Sequence, residues 1–282
     1  MRKIESSTIT NAVKDLCAKS NYNLPDDVLK SVNASIFQEL GVSRDIRDIL
    51  EQIADNAAIA KKEKIPLCQD TGTANFFVKL GKDVYIEDGN IYDAINKGVV
   101  LGYVNNYLRK SIVSDPIERK NTMDNTPSNI YIDIISGDKI EITFLPKGGG
   151  SENASALKML TPSVGWEGVK EFTLNVVKDK GRDACPPLIV GVGIGGDFAS
   201  VGLLSKRTLL REIGSVNKNT FYAKKEQELF SEINKLNIGP MGMGGSPTVF
   251  AVFIATKATH IASLPVAVSI QCHSCRRMKI SI

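Results

Sequence analysis

The stretch "PLIVGVGIGGDF", residues 187–198, decides how this chain is to be read. Its first half is an unbroken apolar run, the pattern of a strand buried on both faces. Within it Gly191–Gly196 matches the dinucleotide pattern G-x-G-x-x-G, between a strand and a helix as that motif requires. A nicotinamide-binding unit would continue to a second strand ending in an acidic residue roughly 20 positions later. Instead "FYAKKEQELFSEINKL" (221–236) follows, polar and helical, and a nicotinamide site is rejected. Two readings of the glycines stay open. One is close backbone packing, the better reading for any single glycine. The other is a set of N–H groups at a helix start that receives an anion, either a substrate carboxylate or a negatively charged cluster.

Upstream, "KGGGSEN" (147–153) offers a second loop of this kind, with Ser151 as a cap. Two helices are expected after it, the second opened by Thr161 and Pro162. "NFFVKL" (75–80) and "DVYIE" (83–87) read as strands, "IYDAINKGVVLGYVNNYLRKSIV" (91–113) as a helix, and "NIYIDIISGDKIEITFL" (129–145) as a hairpin turning at Gly137 and Asp138. Apolar residues recur at helical spacing in Ile9, Val13, Leu16, in Val28, Val32, Ile36, and in Ile46, Leu50, Ile53, with helix starts expected near Pro25 and Ser43. Downstream, a helix is expected from Asp197 towards Ile213 and another over 221–236, followed by the strands "TVFAVFIAT" (248–256) and "PVAVSI" (265–270). The expectation is a mixed α/β fold: a helical segment over residues 1–62, then mixed α and β lobes over 63–282 around a cluster site.

A net charge of +4 from 35 basic and 31 acidic residues includes no long basic block, so a nucleic-acid partner is not expected. "MRKIESSTIT" lacks the apolar core of a signal peptide, and the apolar run "VFAVFIA" (249–255) is too short to span a bilayer. The expected location is cytoplasmic, without membrane contact. Five cysteines in 282 residues then argue for reduced thiols rather than a disulfide framework.

Cys17 follows Val13 and Leu16 on an apolar helix face and reads as a small core residue. Cys68 in "PLCQDTGT" and Cys185 in "DACPPLIV" stand at loop-to-strand junctions, and Cys272 comes directly after a strand. Cys272 and Cys275 in "QCHSCRR" have a CxxC spacing, yet a structural zinc needs a second pair, and a redox pair normally opens a helix. The third alternative draws Cys68, Cys185 and Cys272 from distant segments to an iron–sulfur cluster, with Cys275 a spare thiol.

Together "PLCQDTGT", "GGGSEN", "ACPPLIVGVGIGG", "GPMGMGG" and "HIASLPVAVSIQCHSCRR" resemble the class I fumarate hydratase family, its α subunit or N-terminal region, with the related tartrate dehydratases. The resemblance runs from about residue 5 to the end. It implies an oxygen-sensitive 4Fe-4S cluster on Cys68, Cys185 and Cys272, and reversible addition of water to a dicarboxylate substrate, fumarate to (S)-malate in the tricarboxylic acid cycle. It further implies substrate contacts at Gln69, Asp70, Arg109 and Gly149, with Asp70 and His260 as catalytic residues, His260 within reach of Asp70. Arg276 and Arg277 would favour the Cys272 thiolate. Single-chain members continue into a second, swivelling domain, so the resemblance implies a separate β subunit carrying it and a dimer of αβ units. Two other readings stand beside it: an L-tartrate dehydratase α subunit, and a non-catalytic metal-binding scaffold.

Overall fold

The computed structural model describes residues 1–38 and 44–282, and the helix start expected at Ser43 lies outside the described residues. The chain forms two compact units, one of Met1–Pro25, Asn56–Gly149 and Cys275–Ile282, the other of Asp26–Asp55 and Gly150–Ser274. Helix α1 (Ser6–Tyr22) belongs to the first unit, α2 (Asp26–Gln38) begins the second directly after Pro25, and α3 (Arg44–Glu63) runs through the boundary.

The chain opens with a short strand, β1 (Arg2–Glu5), where helix was expected; it pairs in parallel with β3 (Val84–Glu87). The main sheet of the first unit has the order β10-β5-β2-β4, from β2 (Thr73–Gly81), β4 (Asn129–Ile135), β5 (Ile140–Lys147) and β10 (Met278–Ser281). The hairpin expected over 129–145 is corrected here: β2 lies between β4 and β5, parallel to one and antiparallel to the other. The turn at Gly137, with φ +108°, instead serves the end of β2, its carbonyl accepting the Asp83 N–H at 3.0 Å.

Phe76 and Phe144 stack with ring centroids 4.8 Å apart, and with Val78, Ile140 and Ile142 they form the core under α1 and α4 (Ile91–Asn105). The two helices approach closely because α4 presents glycine: a Cβ on Gly98 would lie 2.6 Å from Val13 Cβ, and one on Gly102 2.6 Å from Cys17 Cβ. Cys17 is thereby sealed in this contact. The helix expected over 91–113 ends at Asn105, where Tyr107 takes a positive φ of 54° and the Leu108 N–H turns back to the Tyr103 carbonyl.

In the second unit the sheet order is β6-β9-β7-β8, built from β6 (Ala156–Leu160), β7 (Leu188–Gly195), β8 (Val249–Lys257) and β9 (Leu264–Gln271). The first of the two helices expected after "KGGGSEN" is only the short α5 (Gly149–Asn153), with Ser151 inside it rather than capping it; "ALKML" is the strand β6. Met159 and Leu160 pair with Pro265 and Leu264 there, so tertiary pairing overrides helix propensity. The short helix at Pro162–Val164 and α6 (Gly165–Lys180) follow. Every residue of β7 is buried. It runs parallel to β8 by a crossover through α7 (Phe198–Thr208) and α8 (Thr220–Lys235), and antiparallel to β9.

The glycines of the opening stretch serve packing. A Cβ on Gly191 would meet the Thr208 Oγ1 at 2.2 Å, and one on Gly193 the Ser205 N at 2.7 Å, so α7 lies directly on the strand. The N-terminus of α7 is already occupied: Asp197 accepts the Ser200 N–H at 2.7 Å and Ser200 Oγ takes the Asp197 N–H at 3.1 Å. The Ser200 hydroxyl foremost, then the Ser200 backbone N–H, hold the Asp197 carboxyl below its usual range, and this carboxylate already sits at the helix dipole where the anion reading would put a ligand. Among the described residues no helix is long and apolar enough to cross a membrane.

Candidate functional site

In the first unit Cys68, Gln69 and Asp70 lie on the loop that feeds β2, and polar groups, most of them buried, hold that loop at both shoulders. The Leu67 N–H donates to the Asn21 carbonyl at 2.9 Å, and Asn56 Nδ2 to the Leu67 carbonyl at 2.9 Å. Arg276 donates from Nη2 to the Asp70 carbonyl at 3.0 Å and from Nη1 to Asn21 Oδ1 at 2.8 Å. Beyond Asp70, the Tyr103 hydroxyl faces the carbonyls of Thr71 and Gly72 at 3.0 and 3.1 Å, and Asn125 Nδ2 reaches the Gly72 carbonyl at 3.2 Å.

The Asp70 carboxylate is fixed by two backbone donors, the Gly72 N–H to Oδ1 at 2.9 Å and the Gly149 N–H to Oδ2 at 2.7 Å. The Cys68 thiol faces Gln69 Oε1 at 3.3 Å, and Thr71 Oγ1 donates to the carbonyl of the exposed Arg109 at 3.0 Å. Cys68, Gln69, Asp70 and Gly149 are thus brought together, with the Arg109 backbone tied to the same loop.

In the second unit Ile189 pairs with Gln271. Cys185, just before β7, and Cys272, just after β9, therefore stand at one end of the sheet. His273 joins the two segments: its backbone N–H and ring Nδ1 lie 3.3 and 2.9 Å from the Cys185 carbonyl. A carbonyl only accepts, so the ring proton sits on Nδ1. Cys185 itself has a left-handed backbone, φ 52°, rare for a residue with a side chain and typical of strained functional positions. The following Pro186 carbonyl accepts the Met241 N–H at 2.7 Å, which gives the "GPMGMGG" block its local purpose.

His260 is exposed, on the turn between β8 and β9, with Nδ1 accepting the Ala262 N–H at 3.1 Å. Since Gly195 pairs with Lys257, that turn is at the other end of the sheet from Cys185 and Cys272, roughly 25 Å away at the rise of a strand. The structure does not bring His260 to these two cysteines.

The five thiols fall into two classes, and none is in a disulfide. Cys17 and Cys275 are buried, and burial pushes the Cys17 thiol far above its usual range. Cys185 is exposed, and Cys68 and Cys272 are half-buried. Arg277 points Nη1 at the Cys275 sulfur at 3.6 Å, while Arg276 bonds to Asn21 Oδ1 and to the Asp70 carbonyl on the Cys68 loop. Among the described residues no group of three or more His, Cys, Asp and Glu side chains could hold a single metal ion. An iron–sulfur cluster is reached by thiolates that do not touch one another, and accessible soft donors at three strand ends, with a buried cation behind one of them, suit such a group by donor chemistry. Sequence reasoning missed Asn21 and His273. His273 sits inside "QCHSCRR", where attention to cysteine spacing passed over it; Asn21 carries no local signal.

A family model described as Fumarate hydratase (Fumerase) matches residues 10–281. A Methanocaldococcus jannaschii protein, provisionally named an L(+)-tartrate dehydratase subunit alpha, is 40% identical over 275 residues, covering 95% of both chains. The L(+)-tartrate dehydratase subunit alpha of Escherichia coli K12 is 34% identical over 276 residues, 95% of this chain and 89% of that one.

Proposed function

The chain belongs to the fumarate hydratase (Fumerase) family and is a hydro-lyase, and on that premise we propose that it is the α subunit of an iron–sulfur enzyme that adds water reversibly to fumarate, giving (S)-malate. The observation that carries this is the division of thiols: the three accessible ones stand at loop-to-strand junctions, while Cys17 and Cys275 are packed away. Cys68, Cys185 and Cys272 are the ligands of a 4Fe-4S cluster, which with three protein thiolates supplies a Lewis-acidic iron for the substrate hydroxyl and one carboxylate.

Around it the chain supplies orientation and a proton carrier. Asp70, two residues after Cys68 and held by the N–H groups of Gly72 and Gly149, carries the proton to or from the departing hydroxyl. Its rigidity matters because proton transfer depends on a fixed donor–acceptor distance. Arg109, by its guanidinium fork, and Gln69 with the Gly149 segment orient the substrate carboxylates. His260, at the far end of its sheet, is given no proton-transfer step. The relatives' names specify a "subunit alpha"; the partner proposed here is a β subunit with a swivelling domain, in a dimer of αβ units.

The second reading, dehydration of L(+)-tartrate, is favoured by the names of those same relatives. Both substrates are four-carbon dicarboxylates, so the two readings share every role above. The deciding experiment is an anaerobic assay of the full chain with its co-purifying partner. A higher kcat/KM for fumarate and malate supports the first reading, and a higher value for L(+)-tartrate supports the second. A loaded cluster that turns over neither supports the metal-binding scaffold.

A further inference from the structure

Arg276 heads the fully buried side chains among the described residues, 1% exposed. Its hydrogen-bond partners are neutral oxygens, Asn21 Oδ1 and the Asp70 carbonyl, and Nε has no hydrogen-bond partner. The Asp70 carboxylate spends its hydrogen bonds on the N–H groups of Gly72 and Gly149 rather than on the guanidinium. A guanidinium cannot shed its proton, so this side chain keeps a positive charge in a place of low polarizability, with an orphaned donor besides. Such a charge is costly to bury unless a negative one arrives to offset it. The loop it holds carries Cys68.

We propose that Arg276 is a positioning residue that serves as the built-in counter-charge for an anionic iron–sulfur group on Cys68, holding the loop by its Asp70 carbonyl while its charge is left for that group to neutralise. The inference rests on the cluster reading above. Asn21 is the second half of the device, since its backbone carbonyl holds Leu67 and its side chain orients the guanidinium. Loop and counter-charge are thereby one assembly.

Thermodynamic linkage makes this distinct from a structural role. A residue that only supports the fold stabilises the empty and the loaded chain alike, whereas a counter-charge stabilises the loaded form selectively. The test uses the full chain, reconstituted anaerobically with iron and sulfide, with Tm measured empty and loaded and iron retention measured against a chelator. Arg276→Met removes the charge; Asn21→Asp keeps the guanidinium and its bond to Asp70 but cancels the charge; Arg276→Lys keeps the charge without the fork. The first two are expected to retain the cluster about 10–100-fold less tightly and to lose most of the Tm gain on loading, with Arg276→Lys restoring a good part of it. Equal Tm losses in empty and loaded forms, or wild-type retention in both charge-cancelling variants, overturn the inference while leaving the cluster reading intact. A wild-type chain that takes up no iron and sulfide overturns both.

Discussion

Cys68 is placed by side chains, whereas Cys185 and Cys272 are placed by strands. In the first unit an irregular loop is kept in shape by Asn21, Asn56, Tyr103, Asn125 and Arg276, drawn from five separate stretches of sequence. In the second, the ladder between β7 and β9 sets the register, and His273 adds one link across the end. A loop held mainly by buried polar groups is sensitive to each buried one, because every lost partner there leaves a desolvated donor or acceptor. A ladder spreads the same task over many equivalent bonds.

That contrast predicts unequal responses to removing one polar group. Tyr103→Phe removes a hydroxyl facing two carbonyls in a fully buried place, and the expected loss of unfolding free energy in urea is about 1–3 kcal/mol. His273→Phe removes the ring N–H, but the His273 backbone N–H still serves the Cys185 carbonyl, and the expected loss is under about 1 kcal/mol. A larger loss at His273 than at Tyr103 breaks the comparison.

The smallest effect is expected on the surface of the second unit. There the Lys225 ammonium foremost, with the Trp166 ring N–H and Lys170, holds the Glu228 carboxyl down from 4.5 to about 2. A depressed folded-state value means that this carboxylate adds stability above pH 4.5, which is lost as the pH falls towards about 2. Tm recorded across that window should fall less steeply in Glu228→Gln than in the wild-type chain. Identical slopes would show that the network contributes nothing.

The same contrast explains what could be read from the amino-acid order. The strand at 188–195 was legible because its apolar run has no other stable home, and the Cys185 and Cys272 junctions followed from it. The rejection of a nicotinamide unit there rested on the polar helix that follows; Gly191 and Gly193 prove to be where α7 lies on the strand. "ALKML" was misread because its pairing partner lies more than 100 residues away, and the expected hairpin because β2 inserts between its arms. Of the two readings left open for Gly191–Gly196, packing is the one the structure displays, and a local feature visible in the sequence already weighed against the anion: Asp197 is an acidic N-cap. The Cys68 loop had a motif but no visible support, since hydrogen bonds such as Arg276 to Asn21, 255 positions apart, leave no periodic trace. His260 was placed by resemblance alone, and the sheet puts it at the opposite end from Cys185 and Cys272.

The central claim is that three of the five thiols act together on one cluster. Each cysteine is changed to serine singly, and acid-labile sulfide and iron per chain are measured after anaerobic reconstitution. The account predicts that Cys68→Ser, Cys185→Ser and Cys272→Ser each lose most of the cluster, while Cys17→Ser and Cys275→Ser keep it wherever they fold. Full loading in any one of the first three, or selective loss in a folded Cys275→Ser, would contradict it.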